Sequence, residues 1–445
     1  MRVLVVGSGA REHAFVTRLL SEPSPAEVIA APGNPGIAQL ARTVEVDMAS
    51  PTALRELAER ERADLTIIGP ELPLSHGVAD KFAAAGLRLF GPTAAAARLE
   101  TSKAFAKAFM QRHGVPTARF HTTQSLDEAQ RVVKSNEFGM PVVLKADGLA
   151  AGKGVVVAQS RDEADAAILA AMRDARFGDA GKTIVIEECL TGPEVSFFLM
   201  CDGVRAIPIG TAQDHKRIFD DDRGPNTGGM GAFAPSPLFD AARQARVMRE
   251  VVDPVMRGMA AEGYPFRGFL YVGLMLTPEG PKVIEFNVRM GDPETQVVLP
   301  LIDEPFLPLL VAAADGRLEQ SICRVGSDRI VGVVIASRGY PESSESGQPI
   351  DGIEAAQKIP GVSVYHAGTA MRDGRLVTAG GRVLTVAGRG SDFTEAIVRA
   401  YAALLRIHFD GMQFRRDIGR RALQSIQGPS PLRQSPPHQI TTSPN

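Results

Sequence analysis

The chain has no tryptophan, five tyrosines and three cysteines among 445 residues. Cys189, Cys201 and Cys323 form no CxxC pair, so neither a disulfide-stapled scaffold nor a cysteine-based zinc site is available. An excess of one charge is also missing. With Lys+Arg 49 against Asp+Glu 51, the formal net charge is -2, and no global basic field exists to hold nucleic acid or an anionic membrane. Anionic partners must therefore be held locally. No apolar run approaches the roughly 18 residues of a transmembrane helix. Met1-Arg2 reaches Gly7-Ser8-Gly9 after four apolar residues, unlike a signal peptide, and a reducing cytoplasm is the expected compartment. Hydrophobic residues at 44% and charged residues at 22% describe a globular chain long enough for roughly three domains of about 150 residues.

The first hundred residues alternate β-branched runs (Val3 to Val6, Val28 to Ala31, Leu65 to Ile68, Arg88 to Phe90) with helical segments such as Thr52 to Arg62 and His76 to Ala85. This predicts an open parallel α/β sheet. Ser102 is placed to cap a helix running to His113, and the first domain boundary is set there, giving an N-terminal domain over 1–102. A β-loop-β-α-β order follows, with strands at Val142 to Lys145, Val155 to Val157 and Thr183 to Glu188, and reads as a small lid at about 117–190 within a central domain over 103–326. Strands are expected at Val195 to Cys201 and Val204 to Ile209, then a long polar loop from Asp214 to Gly231. A helix at Arg243 to Ala261 precedes an antiparallel pair, Phe269 to Leu276 and Lys282 to Val288, turning at Pro278-Glu279-Gly280. Strands Arg329 to Ala336, Val362 to His366 and Arg382 to Val386 with a helix at Asp392 to Ile407 read as an α+β domain over 327–425. The tail 426–445, rich in Pro, Ser and Gln, is expected to be disordered.

Several segments carry chemistry. Val3 to His13 is a strand, a glycine turn and a helix start, where free N–H groups favour an anion. Glu12 at the third glycine position of GxGxxG, and Ala30-Ala31-Pro32-Gly33 where an acidic ribose ligand belongs, argue against a dinucleotide. A small phosphorylated substrate remains, as does a plain tight turn. Lys145 to Gly154 imitates a P-loop but has three residues between its glycines and Gly154 in place of Ser/Thr. A hairpin closing over phosphates with Lys153 fits better. In Val283 to Arg289, alternation puts Glu285, Asn287 and Arg289 on one face and Ile284, Phe286 and Val288 in a core. A carboxylate, an amide oxygen and a guanidinium together suit a hard divalent cation and the phosphate it bridges. Met290-Gly291-Asp292-Pro293-Glu294-Thr295 adds two acids. Asp214-His215-Lys216-Arg217 with Asn226 to Gly231 reads as an anion-binding nest beside a substrate-orienting cluster. His13, His215 and His366 are scattered along the chain and read as structural.

Taken in order, GSGAREHA, APGNPG, GPELPL, KADGLAAGKGV, TAQDHKR, GPNTGGMGA, the Glu285 to Thr295 run and FRRDIG resemble the glycinamide ribonucleotide synthetase (phosphoribosylamine-glycine ligase) family of the ATP-grasp superfamily, over about residues 1 to 423. Ser8, Ala10 and Met290 depart from the residues most common there. The resemblance implies an N-terminal open α/β domain, an ATP-grasp module with a mobile lid and a small C-terminal domain. It implies ATP-dependent joining of glycine to 5-phosphoribosylamine through a glycyl phosphate, in a cytoplasmic monomer with no nucleic-acid or membrane partner. It also implies roles. Lys103, Lys145, Gly148, Gly152, Lys153 and Gly154 would hold ATP phosphates; Glu187 and Leu190 would meet adenine through the backbone, with Glu194 near the ribose. Glu285 and Asn287 would hold Mg²⁺ or Mn²⁺, and Arg289 would act on the transferring phosphoryl. Asp214 and Asp292 would serve the reacting groups, and Gly9, Arg11, Glu71, Lys216 and Gly229 the other substrates. The alternatives are another ATP-grasp carboxylate-amine ligase, an NAD-dependent oxidoreductase, or a nucleotide-binding regulator without turnover.

Overall fold

The computed structural model describes residues 1–23, 27–148, 154–174, 176–320 and 322–426. The tail after Ile426, expected to be disordered, and the hairpin positions Gly152 and Lys153 lie outside the described residues. The first β-branched runs pair in parallel, in the order Arg42–Thr43, Glu27–Pro32, Arg2–Gly7, Leu65–Ile68, Leu89–Phe90. Val3 and Val5 pack on one side of this sheet with Phe15, and Leu4 and Val6 on the other with Leu54 and Phe82. Burial on both faces explains why the central strand is almost wholly apolar.

The central lid is an antiparallel sheet ordered Phe120–Thr123, Ile184–Glu188, Val142–Ala146, Val155–Ala158. Helices Leu126–Ser135 and Arg161–Ile168 cover it, through Ala129, Val133, Ala164 and Ile168. A larger eight-stranded sheet runs Gly280–Asn287, Arg267–Thr277, Glu194–Asp202, Ala206–Asp214, Gly231–Ala234, Arg329–Ala336, Arg382–Gly390, Val362–His366. Strands from the central and C-terminal parts of the chain thus share one hydrogen-bonded surface. No helix among the described residues is long and apolar enough to cross a membrane.

Three local expectations change. The polar stretch from Asp214 to Gly231 is not a long loop: it contains the ladder Arg217–Phe219 with Arg223–Asn226 and then the strand Gly231–Ala234. Its polar residues are stabilised from a distance, because Arg415 donates to Asp222 at 2.9 Å and to the Arg217 carbonyl at 3.1 Å, while Asp417 accepts the Asp221 N–H at 3.0 Å. The helix over Arg243 to Ala261 contains a π-turn at Met248–Val252, placed where Pro254 withholds an N–H from the regular ladder. The hairpin Thr369–Arg372 with Arg375–Thr378 is an addition, and its Asp373-Gly374 turn was a readable signal.

The histidines are not all scattered either. His13 Nδ1 accepts the His366 N–H at 2.9 Å, and the two rings lie 5.6 Å apart. A Cβ on Gly36 would fall 2.5 Å from both rings, so only glycine lets the APGNPG loop close on this pair. Asn34 donates to the carbonyls of Ser8 and His366, each at 2.9 Å. The N-terminal glycine turn is thereby fastened to the C-terminal part of the chain. Burial, with His366 alongside, pushes His13 down to about 3, and burial pushes His366 down to about 4. Below pH 6.5 the unfolded chain binds protons that the folded chain refuses, so this seam loses stability as pH falls from 6.5 toward 3. His13→Gln, which retains an acceptor but does not titrate, should show a shallower loss over that interval. The expected difference is about 1.4 kcal/mol per pH unit, measured by denaturant melts between pH 7 and 4.

Candidate active site

The site is organised by a β-bulge. Glu285 pairs with Gly273 and Val283 with Leu274, leaving Ile284 as the extra residue on its strand. Strict alternation places Ile284 in the core. The bulge corrects this: Val283 is fully buried in its place, with Phe286 and Val288, and Ile284 is half-buried. Bulges re-aim the side chains beyond them and free a backbone group. Here the Ile284 carbonyl accepts a hydrogen bond from Lys145 Nζ at 3.1 Å. The strand ends at Asn287, so Arg289 lies just beyond it, yet it still reaches back to Asn287 Oδ1 at 3.4 Å.

Arg289 is an internal tie. It meets Glu100 at 2.8 Å and Glu71 at 3.5 Å, and Glu100 also accepts the Val288 N–H at 2.7 Å. Burial raises the Glu100 pKa although Arg289 opposes it; burial also acts on Glu71, where Arg289 and Arg11 prevail and hold the carboxyl below its ordinary value. Burial alone would raise Glu285 as well. Lys216, Lys145, Lys103 and Arg289 converge on it and hold it low, so it is a carboxylate at neutral pH. Glu285 and the Asn287 amide offer two hard oxygen donors. Among the described residues no three His, Cys, Asp or Glu converge as a metal set. Two donors fit a Mg²⁺-type ion that takes its remaining ligands from water and substrate phosphate.

Three further segments close on this strand. The N-terminal turn arrives through Arg11, which donates to the Met290 carbonyl at 3.2 Å, and through Gly9, whose Cβ position would lie 3.8 Å from Asp292 Oδ2. Glu12 accepts the Gly9 N–H at 2.6 Å and the Arg11 side chain at 2.7 Å. This gives the residue that interrupts the dinucleotide pattern a structural task. The glycine-rich segment arrives through Gly229, at φ +113, where a Cβ would fall 2.5 Å from Pro293 Cδ. Asp214, Lys216 and Glu194 form the other wall. Lys216 meets Glu194 at 2.8 Å, and Ser196 links Tyr271 at 3.1 Å to Glu294 at 3.3 Å. Burial raises Asp214 to about 7, with Glu294, Glu194 and Glu285 adding to the rise against Lys216.

On the lid side, Asp147 accepts the Ala104 N–H at 3.1 Å and the Ser102 hydroxyl at 3.2 Å. That docks the helix Lys103–Arg112 on the lysine strand and lets Lys103 donate to the Gly148 carbonyl at 2.8 Å. Ser102 caps this helix as expected, accepting from Phe105 at 3.0 Å. Lys145, one residue before the end of its strand, lies 3.0 Å from Glu187. Leu190 follows the strand Ile184–Glu188, and Gly154 immediately precedes Val155–Ala158. The structure therefore gathers Gly9, Arg11, Glu71, Lys103, Lys145, Gly148, Glu187, Asp214, Lys216, Gly229, Glu285, Asn287, Arg289 and Asp292 about the bulged strand, with Glu194 on its rim.

Sequence reasoning missed Glu100, Lys107, Asn34 and Arg382. Arg382 comes from the C-terminal part and donates to the Gly228 carbonyl at 2.6 Å and to Asp292 Oδ2 at 3.0 Å, joining two loops whose sequences are far apart. A lone arginine opening a strand carries no readable signal. Glu100, two residues before Ser102, carried none either.

These features define an ATP-grasp ligase fold. Residues 1–100, 101–295 and 330–421 match the models for the N domain, the ATP-grasp (A) domain and the C domain of phosphoribosylglycinamide synthetase. The chain belongs to the phosphoribosylglycinamide synthetase family. It is 48% identical over 425 residues to the phosphoribosylamine–glycine ligase of Ralstonia nicotianae, covering 95% of this chain and 100% of that one. The crystal structure of a phosphoribosylamine–glycine ligase from Thermotoga maritima is similar, with a TM-score of 0.80 and 34% identity, covering 94% of this chain and 100% of that chain. The biotin carboxylase domain of Hydrogenobacter thermophilus 2-oxoglutarate carboxylase, crystallised with MgADP, shares the fold. Its TM-score is 0.72 at 20% identity, over 93% of this chain and 91% of that one.

The Arg382 contacts make it the fastener between Gly228 and Asp292. Arg382→Lys keeps a cation for the buried Asp292 carboxylate but loses the fork that joins it to Gly228, and should leave a folded protein whose turnover falls on the order of 10²-fold. Initial rates combined with a thermal melt test this, and an unchanged rate would remove Arg382 from the site.

Proposed function

We infer that this chain catalyses ATP-dependent ligation of glycine to 5-phosphoribosylamine, giving glycinamide ribonucleotide, ADP and phosphate in purine biosynthesis. The observation that carries the reading is the meeting of the Gly9-Arg11 turn, the Glu285 to Thr295 run and two lysines around one carboxylate, in a chain matching its family in all three domains. A carboxylate is a poor electrophile. Transfer of the γ-phosphoryl to a glycine carboxylate oxygen, with ADP leaving, makes an acyl phosphate; the sugar amine then attacks the acyl carbon and phosphate leaves.

In this reading Lys103 and Lys145 hold the ATP phosphates under the hairpin that includes Gly148, Gly152, Lys153 and Gly154. The backbone at Glu187 and Leu190 faces adenine, and Glu194 the ribose. Glu285 and Asn287 hold Mg²⁺ or Mn²⁺, which when bound neutralises charge on the transferring phosphates. Arg289 stabilises the phosphoryl in flight. Asp214, Lys216, Gly229 and Asp292 orient glycine and the amine, while Gly9, Arg11 and Glu71 hold the phosphoribosylamine at a helix start suited to phosphate. The reading keeps a division at 1–102, 103–326 and 327–425, with action as a cytoplasmic monomer on small molecules alone.

ADP release should require glycine, measured in a coupled assay with phosphoribosylamine generated in place. Equal release without glycine sinks the assignment, and an amino acid or amine that substitutes freely would point to a different ATP-grasp ligase. A second test separates metal from phosphoryl. Glu285→Gln should lower the rate and raise the Mg²⁺ requirement, with partial rescue by added metal. Because Glu100 depends on Arg289, Arg289→Ala would leave a buried carboxylate unpaired at a cost of about 3 kcal/mol or more. Arg289→Lys is therefore the cleaner variant. Its kcat should drop on the order of 10²-fold with the Mg²⁺ profile unchanged. Identical Mg²⁺ profiles for the two variants would return this strand to a structural role.

A further inference from the structure

Glu187 carries two lysines. Lys145 Nζ lies 3.0 Å from Oε1, and Lys107 Nζ lies 3.0 Å from Oε2. All three side chains are buried, and Lys107 is 2% exposed. The assigned reaction does not call on Lys107. Its helix, Lys103–Arg112, presents Lys103 to the site one turn earlier, whereas Lys107 points toward Glu187 on the strand Ile184–Glu188. A buried ammonium without a purpose is an expensive choice for a fold, since methionine would fill the same space without desolvating a charge.

The donor count distinguishes the two lysines. Lys107 donates to Thr117 Oγ1 at 2.8 Å and to the Ala118 carbonyl at 3.4 Å, in addition to Glu187. Two hydrogen bonds and an ion pair thus fasten Lys107 where it stands. The Phe120 ring, 5.4 Å away, closes its remaining side. Lys145 has only Glu187 and the bulge carbonyl of Ile284, at 3.0 and 3.1 Å. Only the Ile284 contact is a hydrogen bond, Glu187 Oε1 accepts none, and Lys145 is therefore the more loosely held of the two lysines, one residue before the end of the strand that leads into the glycine hairpin.

We propose that Lys107 is a positioning residue for nucleotide capture: it holds Glu187 permanently, so that Lys145 can leave that carboxylate for a phosphate of ATP. Without Lys107 the pair Lys145–Glu187 would be a closed buried ion pair. Drawing Lys145 onto a phosphate would then strand Glu187 uncompensated in the interior. With Lys107 in place the carboxylate remains paired throughout, and the exchange at Lys145 is nearly balanced. The inference rests on the assignment of Lys145 to the ATP phosphates.

The test is titration of the full chain with MgATP in the absence of glycine, together with steady-state rates. Wild-type protein should bind saturably, and failure to bind would overturn the nucleotide assignment itself, separately from the role of Lys107. Lys107→Met should weaken MgATP binding by about 10-fold or more and raise the KM for ATP in step. Its kcat at saturating ATP should stay within about 3-fold, because no group that meets the transferring phosphoryl has changed. The double variant Lys107→Met/Glu187→Gln removes the carboxylate that would trap Lys145 and should restore ATP affinity to within about 3-fold of wild type. A packing role for Lys107 predicts no such reversal. Wild-type affinity in the single variant, or a double variant as weak as the single, overturns the proposal. Should Lys107→Met not fold, Lys107→Gln, which is uncharged but keeps a donor for Thr117, replaces it in both the single and the double variant, and the same outcomes decide.

Discussion

Most of what surrounds the bulged strand answers to one constraint, that a carboxylate taken out of water needs a cation to stay charged. Glu100, Glu187, Glu285 and Asp292 approach Arg289, Lys145 with Lys107, the lysine cluster, and Arg382 respectively. Breaking such a pair leaves an uncompensated charge that is far costlier than the pair is beneficial. The partners come from all parts of the chain. Satisfying the charges therefore assembles the site as a by-product of folding, and fixes the side chains that a phosphoryl-transfer site must hold still.

The balance is uneven across the strand, and this has a chemical use. On the lid side the groups are loosely held lysines or carbonyl partners that can be exchanged, which suits a ligand whose phosphates arrive and leave. On the opposite side Arg289, Arg11 and Arg382 hold forked contacts to carboxylates and carbonyls, which suits loops that must not move. Glu285 stands between the two. Its low pKa comes from lysines on one side and Arg289 on the other, so the carboxylate that the proposed reading gives to a metal ion is maintained by both halves.

The shared eight-stranded sheet makes the C-terminal part more than a cap. Arg382 opens one of its strands and reaches Asp292, while His366 ends another and meets His13 and Asn34. Both contacts stiffen loops that belong to the N-terminal turn and the glycine-rich segment. A domain with no expected catalytic residue thus sets the geometry of those that have one.

Much of this was legible in the chain alone. Alternation of apolar runs with helix patterns determined the parallel N-terminal sheet, because strands buried on both faces must be continuously apolar. Glycine and lysine spacing in Lys145 to Gly154, and the acid-amide-arginine run at Glu285, pointed by residue chemistry to the phosphate and metal roles proposed above. Tertiary structure decided the rest. Periodicity cannot show a bulge, since one inserted residue leaves composition untouched; so Val283, not Ile284, enters the core, and the freed carbonyl meets Lys145. The Asp214 to Gly231 segment looked like a loop because its ladder is stabilised by Arg415 and Asp417, nearly two hundred residues away. Glu100, Lys107 and Arg382 carry no local signature, for each acts by pairing across the fold, and a pairing of distant charges exists only once the chain has brought them within reach.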